Sequence, residues 1–387
     1  MENFEGLLLF TQSFYQLLQN YLTTQQENTN HSGIPSISEI HEQVGLSSIA
    51  RPPALLQISN RFKFSEFESY ILLLCAAIEL EPNIAQLCSQ VQNRELSCPT
   101  PYLTLQLLPQ PSWSAFNANS PLRHWQFIHF QDSQIFTLSP LSIDRSIFLY
   151  LLGENYIDPY LDGLVKPLLP ENTIPLTSPQ QDVATSISSF WTPQSSHYPS
   201  QTLQLHGTDL PIHREIVLAA AQKSGSSPHR ATLSSFTLNT SLASNPTGLR
   251  NIARRWERAA RLTNGVLLLE CQGVDLTEPT PQFILKTLLE EIKTPLILSA
   301  EDRLNLPEFS LLIFEIPSAS FKERKAIWLT YLGDRARSLN SNLDLIADNF
   351  SLSPQSIATV CRQIPQSHSR DDLTEHLGCI PILQDSV

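Results

Sequence analysis

Apolar residues at Phe4, Leu7, Leu8, Phe14, Leu18 and Tyr21 recur at helical spacing and give way to the polar run TTQQENTNHSG, which predicts an opening helix and then a loop. Ser65 with Glu68 three positions later is a helix-start signal, and the core run Tyr70 to Leu80 follows it. Pro82 opens a further helix whose Ile84, Leu87, Cys88 and Val91 share one face. LRHWQFIHFQDSQIFTLSP then predicts two short strands around a turn at Gln131 to Gln134, and SIDRSIFLYLLG predicts a helix. Residues 1–160 therefore form an α+β unit.

Between Val165 and Ser200 there are six prolines and no glycine, with abundant serine, threonine and glutamine. That composition predicts a linker over 161–200. From Thr202 the period changes. Strands TLQLHG, ATLSSFTL, GVLLLEC, PLILS and LLIFEI alternate with helices over Arg214–Lys223, Leu249–Leu262 and Gln282–Glu291, which predicts an α/β core over 201–316 with a doubly wound parallel sheet. Beyond it only helices are expected, near Phe321–Leu332, Leu343–Phe350 and Pro354–Gln363, as a small subdomain over 317–365 with a tail at 366–387.

LQLHGTDLPIHREIVLAAA, Leu203 to Ala221, reads as a strand, a sharp turn after Gly207 and a helix beginning near Arg214. That is the frame of a phosphate-binding loop. In the pattern G-x-x-x-x-G-K-[ST] the second glycine falls on Ile212, the lysine on His213 and the hydroxyl residue on Arg214. Such a loop needs glycines to curl N–H groups around a phosphate, a lysine for charge and a hydroxyl to ligate Mg²⁺. Ile212 brings a Cβ, and Pro211 removes one N–H.

Hydrophobic residues make up 41% and charged residues 16% of the 387, which fits folded modules better than a disordered chain. Glu2 and Glu5 stand where a secretory signal carries basic residues, and no apolar run approaches a membrane span, so a soluble cytoplasmic protein is expected. The six cysteines form no C-x-x-C pair and read as buried thiols. Net charge is −12, and residues 1–155 hold 6 Lys and Arg against 13 Asp and Glu. An acidic surface repels phosphate backbones, which argues against a nucleic-acid partner.

A phosphate-loop frame, a parallel α/β core and a trailing helical lid together resemble the AAA+ ATPase module. GVLLLECQGVD looks like the strand that ends in Asp-Glu in such ATPases, with Glu270 at the metal-coordinating position and Cys271 at the catalytic carboxylate position. TPLILSAEDR resembles the sensor strand and places Ser299 at its polar tip. EIPSASFKERKAIWLTYL and IADNFSLSPQSIATVCRQ look like the approach to the lid and its last helices. FSEFESYILLLCAAIELEPNIAQLCSQVQ, PLRHWQFI and LSPLSIDRSIFLYLLG resemble the winged-helix domain that precedes AAA+ modules in a bacterial ATPase family found near contractile injection system gene clusters. In that family a degenerate first module commonly precedes a complete second one, and the tail here shows no sign of a second.

The resemblance implies ATP with Mg²⁺ as the cofactor, Gly207, Ile212, His213 and Arg214 as a degenerate phosphate loop, and Glu270 as the metal ligand. With those residues substituted and a thiol at Cys271, it implies a pseudoenzyme: an assembly or interaction subunit with a protein partner or an AAA+ oligomer. An active remodelling ATPase is the alternative, and a winged-helix DNA-binding regulator the second. Arg303, just past the sensor strand, falls near the place of a trans-acting arginine. The helix GLRNIARRWERAARL carries five arginines against Glu257 and reads as a solvated face with Ile252, Trp256 and Ala259 turned inward.

Overall fold

A computed structural model describes residues 2–27, 52–131, 133–156, 158–170, 176–191 and 202–333, together with Ala347, Ile357, Ala358, Val360 and Cys361. The helices expected over Leu343–Phe350 and Pro354–Gln363 lie outside the described residues apart from those five positions, and the tail 366–387 lies outside them entirely. The chain divides into two units, residues 1–161 with 254–263, and residues 162–253 with 264–387.

The first unit opens with α1 (Glu2–Glu27), α2 (Pro53–Phe62), α3 (Glu66–Leu80) and α4 (Pro82–Gln92). Ser65 caps α3 as its spacing predicts: the Glu68 carboxylate accepts from the Ser65 backbone N–H and hydroxyl, both at 2.9 Å. Pro82 occupies the first turn of α4, where a missing N–H costs nothing. Leu7, Phe10, Phe14 and Leu18 of α1 are buried in one core with Ile71, Leu72 and Leu74 of α3. Then come α5 (Pro101–Leu107), α6 (Pro121–His124), β1 (Ile128–Phe130), β2 (Leu141–Ile143) and α7 (Arg145–Leu152).

The hairpin differs from the sequence expectation. Phe136–Leu138 is a 3₁₀ turn, and the strand antiparallel to β1 is Leu141–Ile143, with Ile128 opposite Ile143. Leu141 and Ile143 can both be buried against β1, whereas Phe136 stays 44% exposed, so burial selects the later segment. Asp144 ends the strand and caps α7 through the N–H groups of Ser146 and Ile147.

The second unit contains β3 (Lys166–Pro167), α8 (Ser178–Phe190), β4 (Thr202–His206), α9 (Leu210–Ser224), β5 (Ser227–Thr232), α10 (Leu233–Leu238), α11 (Thr240–Ala243), α12 (Pro246–Thr263, whose residues from Arg254 belong to the first unit), β6 (Gly265–Glu270), α13 (Pro279–Glu291), β7 (Leu296–Ala300), β8 (Leu311–Glu315) and α14 (Phe321–Leu332). The sheet order is β3-β5-β6-β7-β4-β8, parallel throughout except for β3. One sheet face, with Leu203, Leu205, Val266, Leu268 and Ile297, packs on Ile212, Ile216, Val217 and Ala220 of α9.

Two segments depart from the reading of the sequence. Within the stretch expected as a linker, α8 is a regular helix whose Ala184 and Ile187 are buried in the core with α9. The capping box of Thr177 and Gln180 starts it, and burial of Ala184 and Ile187 outweighs a polar composition. Residues 171–175 and 192–200 of that stretch lie outside the described residues. In ATLSSFTL only the first two residues are strand, and the rest is α10. The strand itself, SPHRAT, carries Pro228, His229 and Arg230 and is only half-buried, so no alternation announces it.

The arginine-rich α12 is a solvated face only in part: Arg250 is exposed, and Arg254 and Arg261 are half-buried. Ile252, Trp256 and Ala259 are buried as expected, but so are Arg255 at 5% exposure, Arg258 at 0% and Glu257 at 0%. Within the first unit, the Arg255 Nη1 donates to Asp144 Oδ2 and Asp158 Oδ2, each at 3.0 Å, and Arg258 Nη2 donates to Asp158 Oδ2 at 2.8 Å and Asp144 Oδ1 at 3.2 Å. Arg255 and Arg258, read as solvent charges on a helical wheel, are instead each matched to two carboxylates supplied from about a hundred residues away, while Arg250 stays exposed. Among the described residues no single helix is long and apolar enough to cross a membrane.

Candidate functional site

Strands β6, β7 and β4 are consecutive and parallel, so their carboxyl ends share one sheet edge, and Ser299 on β7 is level with Glu270 on β6 and Leu205 on β4. Open α/β sheets place ligands at such an edge. Glu270, Ser299, Gly207, His213 and Arg214 therefore gather there, as the sequence frame requires.

The turn from β4 into α9 is tighter than a phosphate loop. Gly207 has φ of +151°, and a Cβ there would lie 2.9 Å from the Ile316 carbonyl oxygen, so glycine is required. Its N–H donates to the carbonyls of Glu301 at 3.0 Å and Ala300 at 3.3 Å. The helix then begins at Leu210, about one turn earlier than the expected start near Arg214. Asp209 at the N-cap and Pro211 in the first turn were the available signals for this start. Ile212 explains the shift: it is fully buried beside Ile216 and Val217 and belongs to the core of α9. The Ile212 N–H donates to the Asp209 carbonyl at 3.0 Å.

His213 is fully buried, and its Nδ1 shares a 2.7 Å hydrogen bond with the Ser299 hydroxyl. Burial, aided by nearby His206, pulls its pKa down to about 4, so the imidazole is neutral at pH 7. Its Nε2 has no hydrogen-bond partner among the described residues. Asp209, one helical turn before it, carries a buried and equally unpartnered Oδ1. Burial pushes that carboxyl up to about 6 against the opposing Ile212 N–H. Asp209 is the residue of this corner that the motif comparison passed over, because a phosphate loop places no demand on that position.

Arg214 reaches Glu270. Its Nε donates to Oε1 at 2.5 Å and its Nη2 to Oε2 at 3.2 Å, a two-point ion pair in which the carboxylate is 4% exposed and the guanidinium 24%. Both oxygens of the expected metal ligand thus accept from the residue at the expected hydroxyl position. Cys271 is buried, its N–H donates to the Ser299 carbonyl at 2.9 Å, and burial pushes the thiol up to about 12. A thiol held neutral cannot take a proton from water as a carboxylate does. Arg303 lies in the loop after β7 and is exposed.

Residues 37–164 match the family model of a variant winged helix domain, and residues 320–380 match that of the contractile injection system ATPase helical domain. A solved chain described under "Structural Basis for Katanin Self-Assembly" superposes with a TM-score of 0.35 at 13% identity, over 59% of this chain and 92% of that one. No curated protein matches the chain.

Proposed function

We propose that this chain is an ATPase-related assembly protein whose nucleotide corner is filled by its own side chains, so that it works through protein contacts and not through ATP turnover. The observation that carries the reading is the Arg214–Glu270 pair: a guanidinium stands where a hydroxyl and a carboxylate would share Mg²⁺. The corner does not fit a nucleotide in three further respects. The helix starts inside the would-be loop, the Ile212 side chain fills the core where a glycine would free the backbone, and the Asp209 carboxyl faces the helix start. His213 supplies no positive charge at pH 7.

The assembly half of the reading is supported by the contractile injection system ATPase helical domain match at 320–380 and the winged helix match at 37–164. The partner is a second copy of this chain or another protein of the same assembly. Equilibrium titration with a fluorescent ATP analogue, with and without Mg²⁺, tests the nucleotide half: no saturable binding is expected up to about 1 mM. Micromolar, Mg²⁺-dependent binding with steady-state hydrolysis that Glu270→Ala abolishes would establish the active ATPase instead. Sedimentation of the full chain tests the other half, since the assembly state should be the same with and without ATP.

A further inference from the structure

A cavity opens on the same sheet edge, on the face covered by α13. It encloses about 650 Å³ between the loops after β6 and β7, which is the size of a small-ligand site. Its walls are of two kinds. Val274, Leu276, Leu285, Leu304 and Leu306 are apolar, and Gln272, Asp275, Gln282, Glu301 and Asp302 are acceptor-rich. Arg303 is the one cation in the lining, against three carboxylates.

The acceptors are not consumed internally. Gln272 Oε1 is a buried atom with no hydrogen-bond partner among the described residues. Gln204, fully buried in β4 and outside the lining, donates its Nε2 to the Asp302 carbonyl at 3.2 Å and so holds the backbone of the loop after β7. A buried acceptor left open, as Gln272 Oε1 is, costs stability until a donor reaches it. The exposed Glu301 and Asp302 carboxylates have no side-chain partner among the described residues, and of the three carboxylates only Asp275 is engaged, through Thr277.

We infer that this cavity receives an arginine side chain presented by a partner protein. An aliphatic stem suits the leucine walls, and a guanidinium offers five donors to the amide and carboxylate oxygens of the lining. An anionic ligand such as a nucleotide phosphate would meet three carboxylates, so this site is independent of the nucleotide reading and its test leaves that reading untouched.

The probe is a capped, dye-labelled peptide, alanine-leucine-arginine-leucine-alanine, titrated into the full chain and followed by fluorescence anisotropy. Saturable binding that weakens as salt rises is expected, with the citrulline version binding at least tenfold more weakly, on the order expected for losing several charge-assisted contacts. Asp275→Asn with Glu301→Gln and Asp302→Asn should weaken the arginine peptide by about tenfold while leaving the far-ultraviolet circular dichroism unchanged, because the backbone carbonyls of residues 301 and 302 still hold Gly207 and Gln204. Arg303→Ala should tighten binding by removing the resident cation. Absence of saturation at millimolar peptide, or equal binding of the citrulline peptide, overturns the inference.

Discussion

Arg214 and Glu270, 56 residues apart in sequence, are joined by two N–H···O contacts at the carboxyl edge of the sheet, and the carboxylate has only 4% of its side chain exposed. An ion pair this deep is held by the balance between desolvation and mutual attraction. Removing one partner leaves the other buried and uncompensated. Arg214→Met should therefore cost about 3 kcal/mol in urea unfolding, and adding Glu270→Leu should recover most of it. Equal stability of wild type and Arg214→Met would show that the pair is an exposed contact of no consequence.

Ile212 offers a separate test of why the loop is short. A glycine there would restore the motif on paper, but the position is a fully buried helical core site. Ile212→Gly should lose about 4 kcal/mol through the cavity and the added backbone freedom, and nucleotide affinity should not rise. Chemical denaturation and analogue titration on the same preparation measure both.

His213 makes stability depend on pH. Its folded pKa of about 4 lies below its ordinary 6.5, so the neutral ring's contribution is complete above pH 6.5 and is lost as pH falls from there towards 4. Asp209 works against this. Its raised value of about 6 means that acidification through the range from 6 to 3.8 relieves a cost. The advantage of wild type over His213→Gln should shrink by about 2.5 kcal/mol between pH about 7.5 and pH about 4.5, and Asp209→Asn should steepen the loss. An unchanged gap between wild type and His213→Gln would mean that the imidazole is reached by water.

In the first unit, Asp144 is held well below the carboxylate range: burial raises it, but the His129 contact and the guanidiniums of Arg258 and Arg255 overcome that. Such a group adds stability above its ordinary pKa of 3.8 and loses it as pH falls through the folded value. Arg258→Met should destabilise the unit by about 4 kcal/mol, and Asp144→Asn should shift its acid unfolding to higher pH. Circular dichroism on the full chain across an acid titration checks this.

Cys271, Cys75 and Cys88 are buried thiols, and burial pushes Cys271 and Cys88 up to about 12. Iodoacetamide at pH about 8 should label Cys98, which is half-buried, well before these three. Peptide mapping by mass spectrometry reads the order. Early labelling of Cys271 would place a reactive thiolate at the sheet edge.

Much of the second unit was legible along the chain. Strands with unbroken apolar runs, such as GVLLLEC and PLILS, follow because burial on both faces leaves no other use for those residues, and the helix expected over Gln282–Glu291 follows from the stripe of Ile284, Leu285, Leu288 and Leu289. The motif frame likewise brought Gly207, His213, Arg214, Glu270 and Ser299 to one edge, since parallel strands align their ends. It could not say what those residues do once there. That Arg214 neutralises Glu270, that His213 bonds Ser299 and that Ile212 is core depends on where α9 begins, which packing against the sheet decides. The same holds for α8 within a polar, proline-rich stretch and for the arginines of α12. The sequence by itself determined which segments must hide apolar surface, because that cost is local to each segment. Only the tertiary structure decided which charges could be buried, because the desolvation of a charge is offset by partners that the chain supplies from far away.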